Sequence, residues 1–353
     1  MKTAKESLHL HHKIALLGVF LIFMPRLLGG ELLWEKLEPI PNSIGVAGSF
    51  AGVDGSVLIV AGGANFPGKK PWEGGAKVWH NAVSILPSPR DRWRAVGTLV
   101  SPLGYGVALS HPRGLLCLGG SSSTEHHRDV FFLHWTGSRL ETEKVPSLPE
   151  RRATMAGVLI GDKVYIFGGT DTPNATSAKA TLFALDLAEK KPEWRELEPL
   201  PAAGRILSTA GTYDGSLYIF GGVALQQNVD GKPVRQWLRD AWRYTPGRGW
   251  GRLIDLPRPA VAAPAPAPLI GGRLLLLGSD DGSKELRLPS EHPGFSRAIL
   301  AYDPLKDVWE KDGNVPQTQV TTSAVVWGNR WVIPSGEIRP GIRSPEVWSA
   351  LLR

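Results

Sequence analysis

Short apolar runs recur along this chain, and each ends in a pair of small residues: VLIVAGG, LLCLGG, VYIFGG, LYIFGG, LLLLGS and WVIPSG. The pairs begin at Gly62, Gly119, Gly168, Gly221, Gly278 and Ser335, so successive separations are 57, 49, 53, 57 and 57 residues. A fixed period of this size marks one supersecondary unit repeated along the chain. Each run is preceded by a stretch rich in small residues, such as GVAGSFAGV or ATMAGVLI, and by a tight turn. The dipeptides Asp54-Gly55, Asp214-Gly215, Gly271-Gly272 and Gly328-Asn329 supply residues that tolerate the positive φ of a two-residue hairpin. After each pair comes a third apolar segment (AVSIL, DVFFLHW, TLFALDL, AWRYTP, ILAYDP, VWSALL), and a fourth usually opens on tryptophan: Trp93, Trp194, Trp250 and Trp309. The second unit lacks that tryptophan.

Four antiparallel strands per unit and six units predict an all-β protein, a six-bladed propeller of four-stranded blades. The sixth unit stops at Arg353 after its third strand, whereas LLWEKLEPIP near the start carries Trp34 and has no unit of its own. Placing Trp34 in the outermost strand of the last blade closes the ring. The segment APAPAP, residues 263 to 268, falls in register on the innermost strand of the fifth blade, a free edge where proline costs little.

Composition agrees with many short strands: 41 glycines, 29 prolines and 13 tryptophans in 353 residues, with apolar positions at helical spacing scarce. The lone cysteine, Cys117, excludes an intramolecular disulfide framework, and its setting GLLCLGG suits a buried small hydrophobe better than a nucleophile. At the N-terminus Lys2, Lys5 and Lys13 flank the apolar run IALLGVFLIFM. That run is too short to span a bilayer comfortably and suits a signal peptide. Residues 1 to 30 are therefore read as a signal peptide or N-terminal anchor and residues 31 to 353 as the propeller, with export to the periplasm or exterior. Membrane contact is expected only through that segment, if it stays uncleaved. The net charge of +7 owes part of its size to those lysines, and no basic stripe interleaved with aromatics points to nucleic acid.

Alternation of strand direction places the loop between second and third strands on the same face as the crossovers that lead into each innermost strand. Glu337, Arg339 and Arg343 occupy that loop in the sixth blade; the crossovers add Tyr105, Arg151, Arg152 and Arg205, and the first blade's loop, ANFPGKKPWEGGAK, adds Asn65 and several lysines. Arginines around a central funnel suit an acidic small molecule, and a carboxylate among them is available as a base. The competing reading is a solvated rim salt bridge, worth at most about 1 kcal/mol.

With these segments in view, the sequence resembles the kelch-type sialic acid mutarotases, the N-acetylneuraminate epimerases. The segments that carry the likeness are GVAGSFAGV with VLIVAGGANFPGKKPWEGGAKVW, then GYGVALS, then SGEIRPGIR. The order, with AGGANFPG early and GEIRPGIR last, resembles the cyclically permuted branch of that family. The resemblance implies a cofactor-free and metal-free isomerase that interconverts the α and β anomers of N-acetylneuraminate or a related acidic sugar. It implies catalytic roles for Glu337, as proton acceptor, and Arg343, and a place in substrate binding for Arg152, Asn65, Tyr105 and Arg339. It leaves open a homodimer. The loops SSSTEHHRD, 170 to 180 and 223 to 239 match no family pattern, so the choice of sugar is not specified.

Other classes fit less well. A sialidase carries repeated Asp boxes, and the nearest segment here, SDDGSKEL, occurs once and lacks Thr-Trp. A copper radical oxidase needs a cysteine beside a tyrosine together with histidine ligands, whereas Cys117 sits within a strand and His126-His127 is read as a single pair in a loop. A non-catalytic exported kelch propeller that binds carbohydrate or protein is the main alternative, because fold alone does not fix function.

Overall fold

The computed structural model describes residues 32–231 and 233–351; the expected leader, residues 1 to 30, lies outside them. Six four-stranded antiparallel sheets surround a central axis. From the axis outward, blade 1 is Phe50–Asp54, Val57–Ala61, Ala82–Leu86 and Arg94–Thr98, and blade 2 is Val107–His111, Gly114–Ser121, His126–Trp135 and Leu140–Val145. Blade 3 is Ala156–Ile160, Lys163–Phe167, Leu182–Asp186 and Arg195–Leu197, and blade 4 is Thr209–Tyr213, Ser216–Phe220, Ala241–Thr245 and Gly249–Leu253. Blade 5 is Leu269–Ile270, Arg273–Ser279, Ser296–Asp303 and Val308–Asn314, and blade 6 is Val325–Trp327, Arg330–Arg339 and Ile342–Leu351. The outermost strand of blade 6 is Leu33–Leu37, with Trp34 opposite Ala350, so this strand completes the last blade and closes the ring as expected. Two extra hairpins, Ala64–Asn65 with Val78–Trp79 and Val223–Gln227 with Pro233–Trp237, rise from the loops of blades 1 and 4.

The apolar faces of neighbouring blades pack on each other, and that is where the core lies. Phe50, Ile59, Ile85, Leu115 and Leu133 fill the space between blades 1 and 2; Leu37, Leu58, Val332 and Val347 fill the seam between blades 6 and 1. Burial of each such side chain stabilises by about 1.5–3 kcal/mol. Cys117 is fully buried in blade 2. Tryptophan indoles tie the outer edges together. Trp93 Nε1 donates to Glu38 O, Trp194 to Pro146 O and Trp250 to Glu198 O, each at 2.8 Å, while Trp309 reaches Ile254 O at 3.3 Å. Blade 2 has no such indole, and a crevice lined by Leu99, Val100, Phe131 and Val145 stands beside it.

Near the axis, six residues at matching places have positive φ: Gly48, Tyr105, Thr154, Leu207, Ala262 and Thr321. Each donates its N–H to the carbonyl of its counterpart in the preceding blade, from Gly48 to Thr321 and round to Thr321 to Ala262, at 2.7–2.9 Å. This closed belt of six hydrogen bonds lines the funnel and offsets the left-handed backbone, which costs roughly 1–2 kcal/mol at a non-glycine residue.

Three expectations need correction in detail. APAPAP reaches the inner edge of blade 5 but is not a strand: only Leu269–Ile270 pair in regular register there, because the prolines remove donors, and Ala265 and Ala267 donate to Thr322 O and Ala210 O of neighbouring blades instead. In blade 1 the turn residues are Gly55-Ser56, since Asp54 still pairs with Val57 and uses its carboxylate to accept from Trp135 N at 2.5 Å. His126 and His127 open a strand, His126–Trp135, instead of lying in a loop.

Candidate active site

Blades 6 and 1 meet at the seam where the chain closes, and there the small-residue pair is Ser335-Gly336. In blades 1 to 4 the second glycine of the pair donates its N–H to the crossover beyond, as Gly63 does to Leu103 O at 2.8 Å. At the seam a hydroxyl takes over: Ser335 Oγ accepts from Val46 N at 2.9 Å and donates to Ser344 O at 2.7 Å. The loops of the two blades are thereby held against each other. Gly341 sits at φ +76°, and a Cβ there would lie 2.7 Å from Pro71 Cγ, so only glycine permits this approach.

Glu337 and Arg343 are cross-strand partners in the hairpin of blade 6. Arg343 Nη1 is 3.6 Å from Glu337 Oε1, and Gly341 N donates to the same oxygen at 2.6 Å. The Arg343 guanidinium lies 4.8 Å from the centre of the Phe66 ring, contributed by blade 1. Its side chain is only 4% exposed, yet Nε and Nη1 have no hydrogen-bond partner among the described residues. A buried guanidinium with two free donors is costly unless an acceptor arrives.

A second cation stands beside it. Lys77 Nζ is 4.9 Å from the Tyr105 ring centre, 5.2 Å from Trp79 and 5.9 Å from Phe66. Such contacts contribute about 0.5–2 kcal/mol each and hold the ammonium beside Tyr105, which lines the funnel. Tyr105 Oη and Trp79 Nε1 are buried and have no hydrogen-bond partner among the described residues. Phe66 thus joins Arg343 and Glu337 on one side to Lys77 and Tyr105 on the other. The arrangement offers one carboxylate, two cations, unmatched donors and aromatic faces, which together suit an anionic sugar.

Of the remaining expected residues, Asn65 lines the cavity beside Phe66 and Arg343, and the arginines stand apart from it. Asn65 is 1% exposed and its amide is fully engaged, with Nδ2 donating to Asn42 Oδ1 and Gly45 O and Oδ1 facing His80 Nε2 at 2.8 Å. It fixes the base of the loop that carries Phe66. Arg339 turns toward blade 5 and donates to Ser290 O at 3.3 Å. Arg152 belongs to blade 3, across the ring from blade 6, and is 1% exposed. It donates to Gly168 O, to Thr181 Oγ1 and to the Glu150 carboxylate, which ties the blade together and leaves only Nε unmatched. Arg205 does the same in blade 4, with Gly221 O and a bidentate grip on Asp240 at 2.8 Å. Arg151 is an exposed rim residue paired with Glu125.

One feature of the site escaped the sequence. The residue that follows each small pair makes an antiparallel bridge to the crossover before the inner strand: Ala64, Ser121, Thr170, Val223, Asp280 and Glu337. Glu337 is thus one of six equivalent positions, and blade 5 places Asp280 at the neighbouring one. Burial raises the Asp280 pKa to about 6; the Gly282 N–H at 3.1 Å pulls it down, Asp281 and Glu337 push it up, and Arg235 opposes them. Counting one place past each pair would have found it. Around the same ring, His126 Nε2 meets Thr170 Oγ1 at 3.1 Å, and burial lowers its pKa to about 4.

The N-acetylneuraminate epimerase family model matches residues 28–142. The chain is similar to the N-acetylneuraminate epimerase of Haemophilus influenzae (strain 86-028NP), 30% identical over 227 residues, 57% of this chain and 58% of the relative. It is also similar to that of Pasteurella multocida (strain Pm70), 28% identical over 237 residues, 60% of this chain and 59% of the relative. A Yersinia pestis (strain Pestoides F) enzyme of the same name is 26% identical over 238 residues, 60% of this chain and 58% of the relative. The matched part spans about six tenths of each relative's own length.

Proposed function

We propose that this protein is an exported mutarotase that interconverts the α and β anomers of N-acetylneuraminate or a closely related acidic sugar. The observation that carries the reading is the guanidinium of Arg343, 4% exposed, with two donors unmatched and Glu337 3.6 Å away. The anomeric carbon of a sialic acid bears both a carboxylate and a hydroxyl. A single site that grips the carboxylate therefore presents the hydroxyl to a group beside that grip. Arg343 and Lys77 would hold the carboxylate, and Phe66 and Tyr105 would supply aromatic surface to the sugar. Glu337 would accept the anomeric proton, so that the ring opens to the keto form and recloses on either face.

The likeness to enzymes named N-acetylneuraminate epimerase supports the substrate class. A circular permutation of blade order would account for collinear matches that stop part-way along both chains. Export through residues 1 to 30 belongs to the same reading, since the apolar run 14 to 24 has signal-peptide length. The test is proton NMR of freshly released α-N-acetylneuraminate with and without the protein. Faster approach to the anomeric equilibrium is expected. An unchanged decay of the α signal would leave a non-catalytic carbohydrate-binding propeller as the better account.

A further inference from the structure

Opening a hemiketal ring needs two proton transfers. A base takes the proton of the anomeric hydroxyl, and an acid delivers one to the ring oxygen as the bond between that oxygen and the anomeric carbon breaks. Glu337 answers the first requirement only.

The geometry points to Asp280 as the general acid of this site, an assignment that rests on the anomer-exchange reading above. Val261 bridges Asp280 as Val320 bridges Glu337, in the same antiparallel manner, on adjacent blades. Both residues directly follow the small pair that ends the second strand, Gly278-Ser279 in blade 5 and Ser335-Gly336 in blade 6. The two carboxyl groups therefore leave the ring of blades at matching points on the face that carries Arg343. The four other equivalent positions hold Ala64, Ser121, Thr170 and Val223, none of which titrates in the working range.

The surroundings of Asp280 suit an acid. Its carboxyl accepts one hydrogen bond, from Gly282 N, and forms no ion pair among the described residues. The charged groups that act on it are Asp281 beside it, Arg235 from the hairpin of blade 4 and Glu337 from blade 6. Trp237 of that hairpin covers the turn, close enough that a Cβ on Gly282 would lie 2.6 Å from its ring, and its indole is anchored on Glu285 at 2.8 Å. Desolvation raises the carboxyl to about 6, so about a tenth of it carries a proton at pH 7, far more than an ordinary aspartate.

The step balances without a co-reactant. Glu337 takes the proton of the anomeric hydroxyl, whose oxygen becomes the keto oxygen; the electron pair of the breaking carbon–oxygen bond goes to the ring oxygen, which takes the Asp280 proton. On reclosure Asp280 recovers its proton from that hydroxyl as it attacks either face, and Glu337 returns its own to the keto oxygen.

The test compares wild type, Asp280→Asn and Asp280→Glu for anomer exchange by NMR across pH, with calorimetric titration of N-acetylneuraminate. Asn keeps the acceptor for Gly282 N but has no proton to give. The expected result is a rate above background reduced about 100-fold or more in Asp280→Asn with affinity within about two-fold, and partial recovery in Asp280→Glu. Wild-type rate should fall as pH rises past about 6, and the residual rate of the Asn variant should lack that fall. An Asn variant that keeps more than about a third of the wild-type rate, or that loses rate while its pH profile keeps the fall, overturns the acid assignment and leaves the function standing. A wild type that does not accelerate exchange overturns the function, and the acid assignment with it.

Discussion

Arg205 in blade 4 and Arg343 in blade 6 are both buried guanidiniums on the same face of one ring, and they are satisfied in opposite ways. Arg205 is 0% exposed, and every nitrogen has an acceptor: Ala203 O for Nε, Gly221 O and Asp240 Oδ1 for Nη1, Asp240 Oδ2 for Nη2. Arg343 is nearly as buried, but Nε and Nη1 are unmatched and its carboxylate neighbour stands at 3.6 Å. Burial alone thus says little about role. The count of satisfied donors separates an arginine that holds blades together from one kept ready for an anion. Arg152 falls nearer to Arg205, with both terminal nitrogens engaged.

Removing each arginine should therefore give effects of different kinds. Arg205→Ala strands the Asp240 carboxylate, which is 16% exposed, and should cost about 3–5 kcal/mol of stability. Denaturant unfolding would measure it, and any folded fraction should keep normal catalysis per molecule. A loss below about 1 kcal/mol would mean that the pair is not structural.

Asp280 should show the reverse sign. Its folded pKa, about 6, lies above the unfolded value near 3.8, so the native state binds the extra proton between these pH values and loses stability as pH rises through that window. Asp280→Asn should then melt higher than wild type at pH 7.5, by at most about 3 kcal/mol of added stability, and the gain should vanish below about pH 4. A variant less stable than wild type at both pH values would contradict the burial assigned to this carboxyl.

Arg343→Met keeps a long stem over Phe66 and removes the free donors. Affinity for N-acetylneuraminate should fall by about 1.5–3 kcal/mol and that of a neutral hexose far less, while stability should fall much less than in Arg205→Ala, because Glu337 keeps the Gly341 N–H and loses only a contact at 3.6 Å. Equal loss for both sugars would place Arg343 outside the carboxylate grip.

What the sequence made legible follows from the same contrast. The repeat is written in the small pairs, present in every blade, and in the hairpin turns and outer-strand indoles, the indole missing only from blade 2. The number of blades and the closing strand with Trp34 could therefore be read directly. An arginine before an inner strand reads identically whether its acceptors are Gly168 O and Thr181 or a ligand, so the expected place of Arg152 in substrate binding had nothing in the sequence to separate it from a tie within blade 3. Phe66 was not singled out, and Lys77 stood undistinguished among the lysines of ANFPGKKPWEGGAK, because both reach the site through a hairpin whose fold depends on Asn65 and on contact with the Gly341 loop. Asp280 was passed over because SDDGSKEL was weighed only as an Asp box, and the position one past each pair was not compared between blades.

The proposed function requires proton transfer at the seam between blades 6 and 1, with Glu337 as the base. The most direct measurement is the rate of anomer exchange above the spontaneous background in Glu337→Gln, with melting temperature and sugar affinity measured in parallel. Gln preserves the Oε1 acceptor for Gly341 N at 2.6 Å, so folding and binding should be unchanged. A catalysed rate reduced about 100-fold to 10,000-fold is the predicted result. A variant that folds and binds normally and retains more than about a third of the rate would contradict the claim and leave the Glu337–Arg343 pair as a salt bridge of the rim.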